Sequence, residues 1–362
     1  MKINDLLSKC RIHGRTLYDE EKNALYMNWT CTGITVRFRG KTLKVRVYAE
    51  PDLIPAMPGM PQPPEDWPCL GAAVGDELIY RHECREPEQW LTVYESEEEK
   101  TVDLRLIKLS ENARGKLGLA DVVTDGEFLE LPEEKKPVME IVGDSITCGF
   151  GNESPNNSFE FKTSEENGWI TYEALAAREL GYEWSVIAES GINAAKPEHP
   201  LWPMHAMEDI YEYTDELYEK KHGRELTKWD FTTHKNDVVV LNLGTNDANP
   251  IRFYRDFDTV EGMELWFHDR YKEFVKKVRE LNGPDTVIIC SLGSIDYYLY
   301  HRIRDVVNEL KEETGDEKLF CFEFIPVIVM MEGFGAAGHP SAKSHERMGR
   351  ELAAFIRKTV KE

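Results

Sequence analysis

The hydrophobic period of this chain changes once along its length, and that change sets what the chain can fold into. In the first part apolar and polar residues alternate: Ile34, Val36 and Phe38 with Thr35, Arg37 and Arg39, then Leu43, Val45 and Val47 with Lys44, Arg46 and Tyr48. A period of two marks strands that bury one face. Gly40-Lys41 between the two runs predicts a hairpin turn, and further strands are expected at 77–83, 90–95 and 102–109. Short strands at this density predict a sandwich or jelly roll, here an all-β domain over residues 1–132. Within it the stretch 51–68, PDLIPAMPGMPQPPEDWP, holds seven of the 18 prolines and is expected to be a long loop. Leu53, Met57, Met60 and Trp67 make that loop too apolar for a free linker, so it is expected to pack on the second domain or on a neighbouring subunit.

The period breaks at LPEEKKP (131–137), a charged linker bounded by proline. Beyond it, continuous apolar runs at 138–143, 184–188, 237–244, 286–293 and 319–327 alternate with amphipathic helical patterns at about 168–180, 261–281, 298–314 and 341–360. Strands apolar on both faces and joined by helices form a parallel sheet with helices on each side. A flavodoxin-like α/β domain is therefore expected over 137–362. Ligands of such sheets bind outside the carboxyl ends of the strands.

Composition narrows the partners. Asp and Glu number 66 against 44 Lys and Arg, a net charge of -22 over 362 residues. Such a surface repels nucleic acid and anionic membranes and favours a neutral substrate. The seven cysteines (Cys10, Cys31, Cys69, Cys84, Cys148, Cys290 and Cys321) are odd in number and scattered, with no CxxC pair or Cys/His cluster, so no metal and no cofactor are expected. The opening MKINDLLSKCRIHGRTLYDEEK has no apolar core of the signal-peptide kind, and no run is long enough for a membrane span. The cytosol is the expected location.

Three polar, glycine-containing motifs stand just past successive strands of the second domain. Gly143-Asp144-Ser145 puts a serine at a tight strand-to-helix turn, where it can attack a carbonyl while nearby backbone N–H groups face the developing oxyanion. Glu189-Ser190-Gly191-Ile192-Asn193 brings a glycine that lets backbone approach a substrate. Gly244-Thr245-Asn246-Asp247 offers a neutral amide donor, which stabilises charge without titrating. His339-Pro340-Ser341 then places an imidazole ahead of the last helix, and histidine is the natural base for a serine nucleophile. Each motif alone is an ordinary turn or helix start. Their order and common placement at strand ends make coincidence a poor account.

In this order the blocks resemble those of the SGNH (GDSL-type) hydrolases. The resemblance implies that Ser145 is the nucleophile and His339 the base, and that the Ser145 and Gly191 N–H groups with the Asn246 side chain form the oxyanion hole. The string GDSITCGFGNE (143–153) and the β-rich region before it are similar to carbohydrate esterase family two, in which a jelly roll precedes the hydrolase domain and acetyl groups are removed from plant xylan and mannan. The chain departs from the usual pattern ahead of the base. Where an orienting aspartate would stand two or three residues before His339, it has Ala337 and Ala336. A Ser–His dyad with a backbone carbonyl holding the imidazole is therefore expected; Glu332, the nearest upstream carboxylate, reads first as an exposed loop acid, with folding back onto His339 as the alternative. Asp144 and Asp247 read as structural, and His345 as a surface or helix-end histidine. Trp169, Trp202, Tyr254 and Trp266 follow the catalytic blocks and are candidates for a sugar-stacking platform, each taken singly reading first as a core residue, with His199 and His205 flanking Trp202.

The expected activity is removal of O-acetyl groups from plant-derived oligosaccharides, imported ones given the location, through an acetyl-serine intermediate. A lipid or thioester acyl hydrolase and a catalytically weak carbohydrate-binding protein are the alternatives. Assembly into a homo-oligomer is left open.

Overall fold

The computed structural model describes residues 1–53, 65–155, 157, 161–196, 206–253 and 259–360. The chain divides into two compact units. The first comprises Met1–Lys135 with Phe161–Trp169 and Thr214–Thr227, the second Lys136–Glu160, Ile170–Tyr213 and Lys228–Glu362.

The first unit is a curled antiparallel sheet. Its strands are β1 (Cys10–His13), β2 (Leu17–Asp19), β3 (Ala24–Tyr26), β4 (Gly33–Glu50), β5 (Cys69–Val74), β6 (Glu77–Glu83), β7 (Glu88–Lys108), β8 (Lys116–Thr124) and β9 (Glu127–Leu129). The central order is β2-β3-β8-β4-β7-β5-β6, with β1 and β9 also paired to β4. The turn expected at Gly40-Lys41 is absent, for β4 runs unbroken through it over 18 residues. The register against β7 shifts between Gly40 and Thr42 instead. A glycine between two alternating runs signals a bulge as readily as a turn. The extra residue explains why the buried positions move from Ile34, Val36 and Phe38 to Leu43, Val45 and Val47, a slip of one in the period. Beyond the slip β4 exchanges its partners β1 and β9 for β8, which is how one strand serves both sides of a curled sheet. The strands expected at 90–95 and 102–109 are likewise one strand, β7.

Two later stretches join this unit by specific bonds. Gly168 N donates to Leu109 O at 2.8 Å, and the Glu166 carboxylate accepts from Glu111 N at 3.0 Å. The Asn28 amide donates to Asp215 at 2.6 Å and the Trp29 indole to Thr214 O at 2.8 Å. Of the proline-rich loop, 54–64 lies outside the described residues, Met57 and Met60 included. Its ends meet in an antiparallel bridge between Asp52 and Asp66. Trp67 packs on the apolar core of the β unit itself, while Leu53 is exposed.

The second unit is the expected parallel sheet: β10 (Val138–Gly143), β11 (Glu183–Ala188), β12 (Val238–Asn242), β13 (Val287–Leu292) and β14 (Leu319–Glu323), in the order β11-β10-β12-β13-β14. β14 stops well short of the expected residue 327, because Pro326 has no N–H to give a ladder. Helix Tyr172–Leu180 packs on helix Ala342–Thr359, and helix Val260–Asn282 on helix Tyr300–Thr314. Met348, Leu352 and Ile356 bury the inner face of the last helix. The chain goes from β10 to β11 on one side and returns to β12 on the other, so the order reverses between β10 and β12. That reversal is the point at which α/β sheets open a crevice beyond their strand ends.

A buried carboxyl in this unit has a measurable consequence. Burial pushes Glu173, in the first turn of its helix, from 4.5 up to about 8. The unfolded chain loses this proton near 4.5 and the folded chain only near 8, so stability drains as pH rises between those values. Glu173→Gln is expected to be on the order of 3 kcal/mol more stable relative to the parent at about pH 9 than at about pH 5. Thermal unfolding of both proteins at the two pH values checks it.

Candidate active site

Each predicted motif begins where a strand of the second unit ends. Ser145 follows β10 at the start of a one-turn helix, Ser145–Cys148. Asp144 caps that helix, its carboxylate accepting from Ile146 N at 3.0 Å. This fixes the serine in the turn. Its carboxyl is driven up to about 7, by burial first and by the nearby Asp247 charge second. Gly191 follows β11 in the left-handed region, at φ 83°. Asn246 follows β12, and its Nδ2 donates to Ile192 O at 3.0 Å and stands 3.4 Å from the Asp144 carboxylate. One side chain thus ties the three blocks together. Asp247 accepts from Ala194 N at 2.9 Å and Ala195 N at 3.1 Å, which holds the Gly191 loop against the Asn246 loop. Burial raises its carboxyl to about 7 as well.

His339 reaches the same place from 194 residues downstream. Its Nε2 is 2.8 Å from Ser145 Oγ, and its Nδ1 is 3.0 Å from the carbonyl of Ala336. A carbonyl can only accept, so Nδ1 carries the proton and Nε2 presents a lone pair to the serine hydroxyl. The Phe150 ring lies 4.5 Å from the imidazole, centroid to centroid. The turn that supplies the carbonyl is held from several directions. Ala336 N donates to Gly151 O and Gly335 N to His339 O. The approach is so close that a Cβ on Gly335 would lie 2.4 Å from Gly151 O, and one on Gly151 2.3 Å from the Ala336 Cβ. Only glycine fits at both.

Two side chains near the base stand otherwise than the sequence suggests. Glu332 is not an exposed loop acid: its side chain is 9% exposed and engages Arg347 Nε at 2.6 Å, Ser344 Oγ at 2.9 Å and Ile328 N at 3.0 Å. Burial alone would raise its pKa, but Arg347 and these hydrogen bonds hold it below the usual carboxylate range. The carboxylate is spent on bracing the loop before His339, and Ser341 Oγ donates to the Glu332 carbonyl in the same brace. His345 is not a surface residue. It is buried, its Nδ1 accepts from Tyr172 N at 3.1 Å, and burial together with His339 lowers it to about 3.

The candidate platform is not assembled among the described residues. Trp169 is buried in the β unit, its indole donating to Asp76 O at 3.0 Å, so it is a core residue and no platform. Trp266 is half-buried in helix Val260–Asn282, and no ring contact or hydrogen bond joins it to Ser145 or His339. Trp202, Tyr254, His199 and His205 lie outside the described residues. Sequence reasoning missed Phe150, the Gly151–Gly335 contact and the Arg347 brace. Phe150 and Gly151 sit inside GDSITCGFGNE, but only tertiary contact gives them partners. All seven cysteines are free thiols. No helix among the described residues is long and apolar enough to cross a membrane.

Known proteins resemble this chain in sequence and in fold. Residues 141–359 match the GDSL-like Lipase/Acylhydrolase family. Cellulase/esterase CelE of Acetivibrio thermocellus is 32% identical over 237 residues, covering 64% of this chain but only 27% of that protein. An acetylxylan esterase / glucomannan deacetylase of Cellvibrio japonicus is 27% identical over 264 residues, 70% of this chain and 68% of that one. The solved structure of an active site mutant of a family two carbohydrate esterase from Clostridium thermocellum superposes with a TM-score of 0.81 at 25% identity, covering 96% of this chain and 98% of that one. The chain belongs to the GDSL-like lipase/acylhydrolase family and, within it, closely resembles the family two carbohydrate esterases.

Proposed function

We propose that this protein is a carbohydrate O-acetyl esterase that removes acetyl groups from neutral plant-derived oligosaccharides of the xylan or mannan type, acting in the cytosol on imported fragments. The observation that carries the reading is the 2.8 Å contact of Ser145 Oγ with His339 Nε2, on an imidazole whose other nitrogen is fixed by the Ala336 carbonyl. The names of the similar enzymes, an acetylxylan esterase / glucomannan deacetylase and a family two carbohydrate esterase, support the substrate class.

Ser145 Oγ attacks the acetyl carbonyl carbon as its proton passes to His339 Nε2. The carbonyl oxygen gains the negative charge and is met by the Ser145 and Gly191 N–H groups and the Asn246 amide. Collapse breaks the bond to the sugar oxygen, which takes the proton from Nε2 and leaves as a free hydroxyl. Water then gives a proton to His339 and attacks acetyl-Ser145; collapse of that adduct breaks the bond to Ser145 Oγ, which takes the proton back from Nε2, and acetic acid leaves and ionises to acetate. The Ala336 carbonyl holds the tautomer and orientation through both halves, although it stabilises the imidazolium less than a carboxylate would.

A chain-length series of p-nitrophenyl esters tests the reaction class, with turnover expected to be highest for acetate. Preference for a long acyl chain would point to a lipid or thioester hydrolase. Acetylated xylan and mannan digests, with released positions read by NMR, test the substrate. Failure to release acetate from either would refute the carbohydrate assignment.

A further inference from the structure

The β unit has an open cleft of its own. Where β6 passes to β7 the surface opens into a cleft of about 670 Å³, within the usual size of ligand pockets, lined among others by His82, Arg85, Glu88, Gln89 and Trp90. Trp90 is 54% exposed, whereas the other described tryptophans are buried or half-buried. It pairs directly across from Arg46 on β4, so the two side chains share a face of the sheet. Arg46 is fixed in turn by Asp121 at 2.6 Å, Glu88 at 2.9 Å and Tyr48 at 3.0 Å.

The polar rim is fixed as well. The Gln89 carbonyl oxygen accepts from His82 Nε2 at 3.1 Å, and its amide nitrogen donates to Glu86 O at 3.3 Å, leaving its second N–H unspent on this bond. The loop between the strands is pinned by Cys84 N to Pro68 O and by Ala49 N to Pro87 O. Cys84 itself is buried. The cleft is therefore formed before any ligand arrives, which removes an ordering cost from binding.

From this geometry we infer that the Trp90 cleft is a saccharide-binding site distinct from the Ser145–His339 pair, and that it takes a neutral sugar ring. A flat aromatic face left in water beside fixed donors and acceptors suits a pyranose, which has an apolar C–H face and a rim of hydroxyls. The ring lies on the indole, and its hydroxyls meet Glu88, which stands two residues away on the same face of the strand. Charge selects the class. Glu83, Glu86 and Glu88 outnumber Arg85 at the cleft, and Arg46 is already neutralised by Asp121 and Glu88, so uronates and other acidic sugars are repelled. The role is to hold a glycan chain, with no chemistry at this cleft.

The test uses the full chain and unacetylated xylohexaose, mannohexaose and cellohexaose. Because these probes carry no ester, the result is separable from whether the protein hydrolyses acetate. Binding is followed by calorimetry, with p-nitrophenyl acetate turnover as a measure of the intact hydrolase unit. Trp90→Ala is expected to weaken binding of at least one probe by about tenfold or more while leaving ester turnover within about twofold of the parent. Trp90→Tyr, which keeps an aromatic platform and guards against a misfolded alanine variant, is expected to bind within about threefold of the parent. Equal binding by parent and both variants overturns the inference. So does a fall in oligomer mass on Trp90→Ala with binding unchanged, which would make the indole a contact between copies of the chain.

Discussion

Ser145→Ala is expected to lower kcat/KM on a short acetyl ester by roughly 10^4-fold or more, and His339→Ala by at least as much. The two side chains are 2.8 Å apart and act as one unit, so the double variant should be little worse than either single one. A serine-directed covalent inhibitor should add its mass to a peptide containing Ser145, and labelling at Ser190 instead would remove the assignment. The same experiment has a negative control within the loop. Glu332 is committed to Arg347, Ser344 and Ile328, so Glu332→Gln should keep kcat near the parent value. Its cost should appear in stability, about 1–3 kcal/mol for weakening a largely buried charged pair. A loss of kcat as deep as that of His339→Ala would mean that a carboxylate does orient the base. The converse change is also open. Ala337 sits in the left-handed region at φ 48°, ψ 37°, which aspartate tolerates better than most side chains. Ala337→Asp is expected to fold and to raise kcat modestly by stabilising the imidazolium.

The next largest effect is expected at Asn246. Its alanine variant should lose about 10^2–10^3-fold in kcat with KM nearly unchanged, because the amide meets its charge mainly in the transition state. The bond from Nδ2 to Ile192 O takes one N–H and holds the amide in place, leaving the other, whose contact with Asp144 is long at 3.4 Å, for the oxyanion. Asn246→Asp should lose more than the alanine variant. It removes the N–H donor and sets a carboxylate beside both Asp144 and the developing oxyanion. Steady-state kinetics on p-nitrophenyl acetate for the three proteins decides the matter. A rise in KM at constant kcat would recast Asn246 as a residue that binds the ground state.

Much of the architecture was legible because burial is periodic. Strands buried on both faces read as continuous runs, and β10 to β13 stand within a residue or two of where those runs predict them. The β unit was legible as strands but not as strand lengths. Gly40 interrupts the alternation in the same way whether the chain turns back or slips a residue, and only the partners β1, β9 and β8 decide between the two. Nor could sequence spacing assign Phe161–Trp169 and Thr214–Thr227 to the β unit, because the bonds that do so span from 55 to 205 residues.

At the site, residue type and spacing alone settle which groups are available. A serine, a glycine, an asparagine and a histidine each follow a strand of a parallel sheet, and such a sheet brings its strand ends together whatever the loops do. Residue type also settles an absence, since no aspartate stands at Ala336 or Ala337. What fills that absence was decided by tertiary structure alone. The Ala336 carbonyl faces His339 Nδ1 because Gly151 and Gly335 let two loops approach to a distance at which no Cβ fits, and because Arg347 draws Glu332 away. Backbone carbonyls are present at every residue, so no sequence can mark one as special. Only a fold that points it at an imidazole does that.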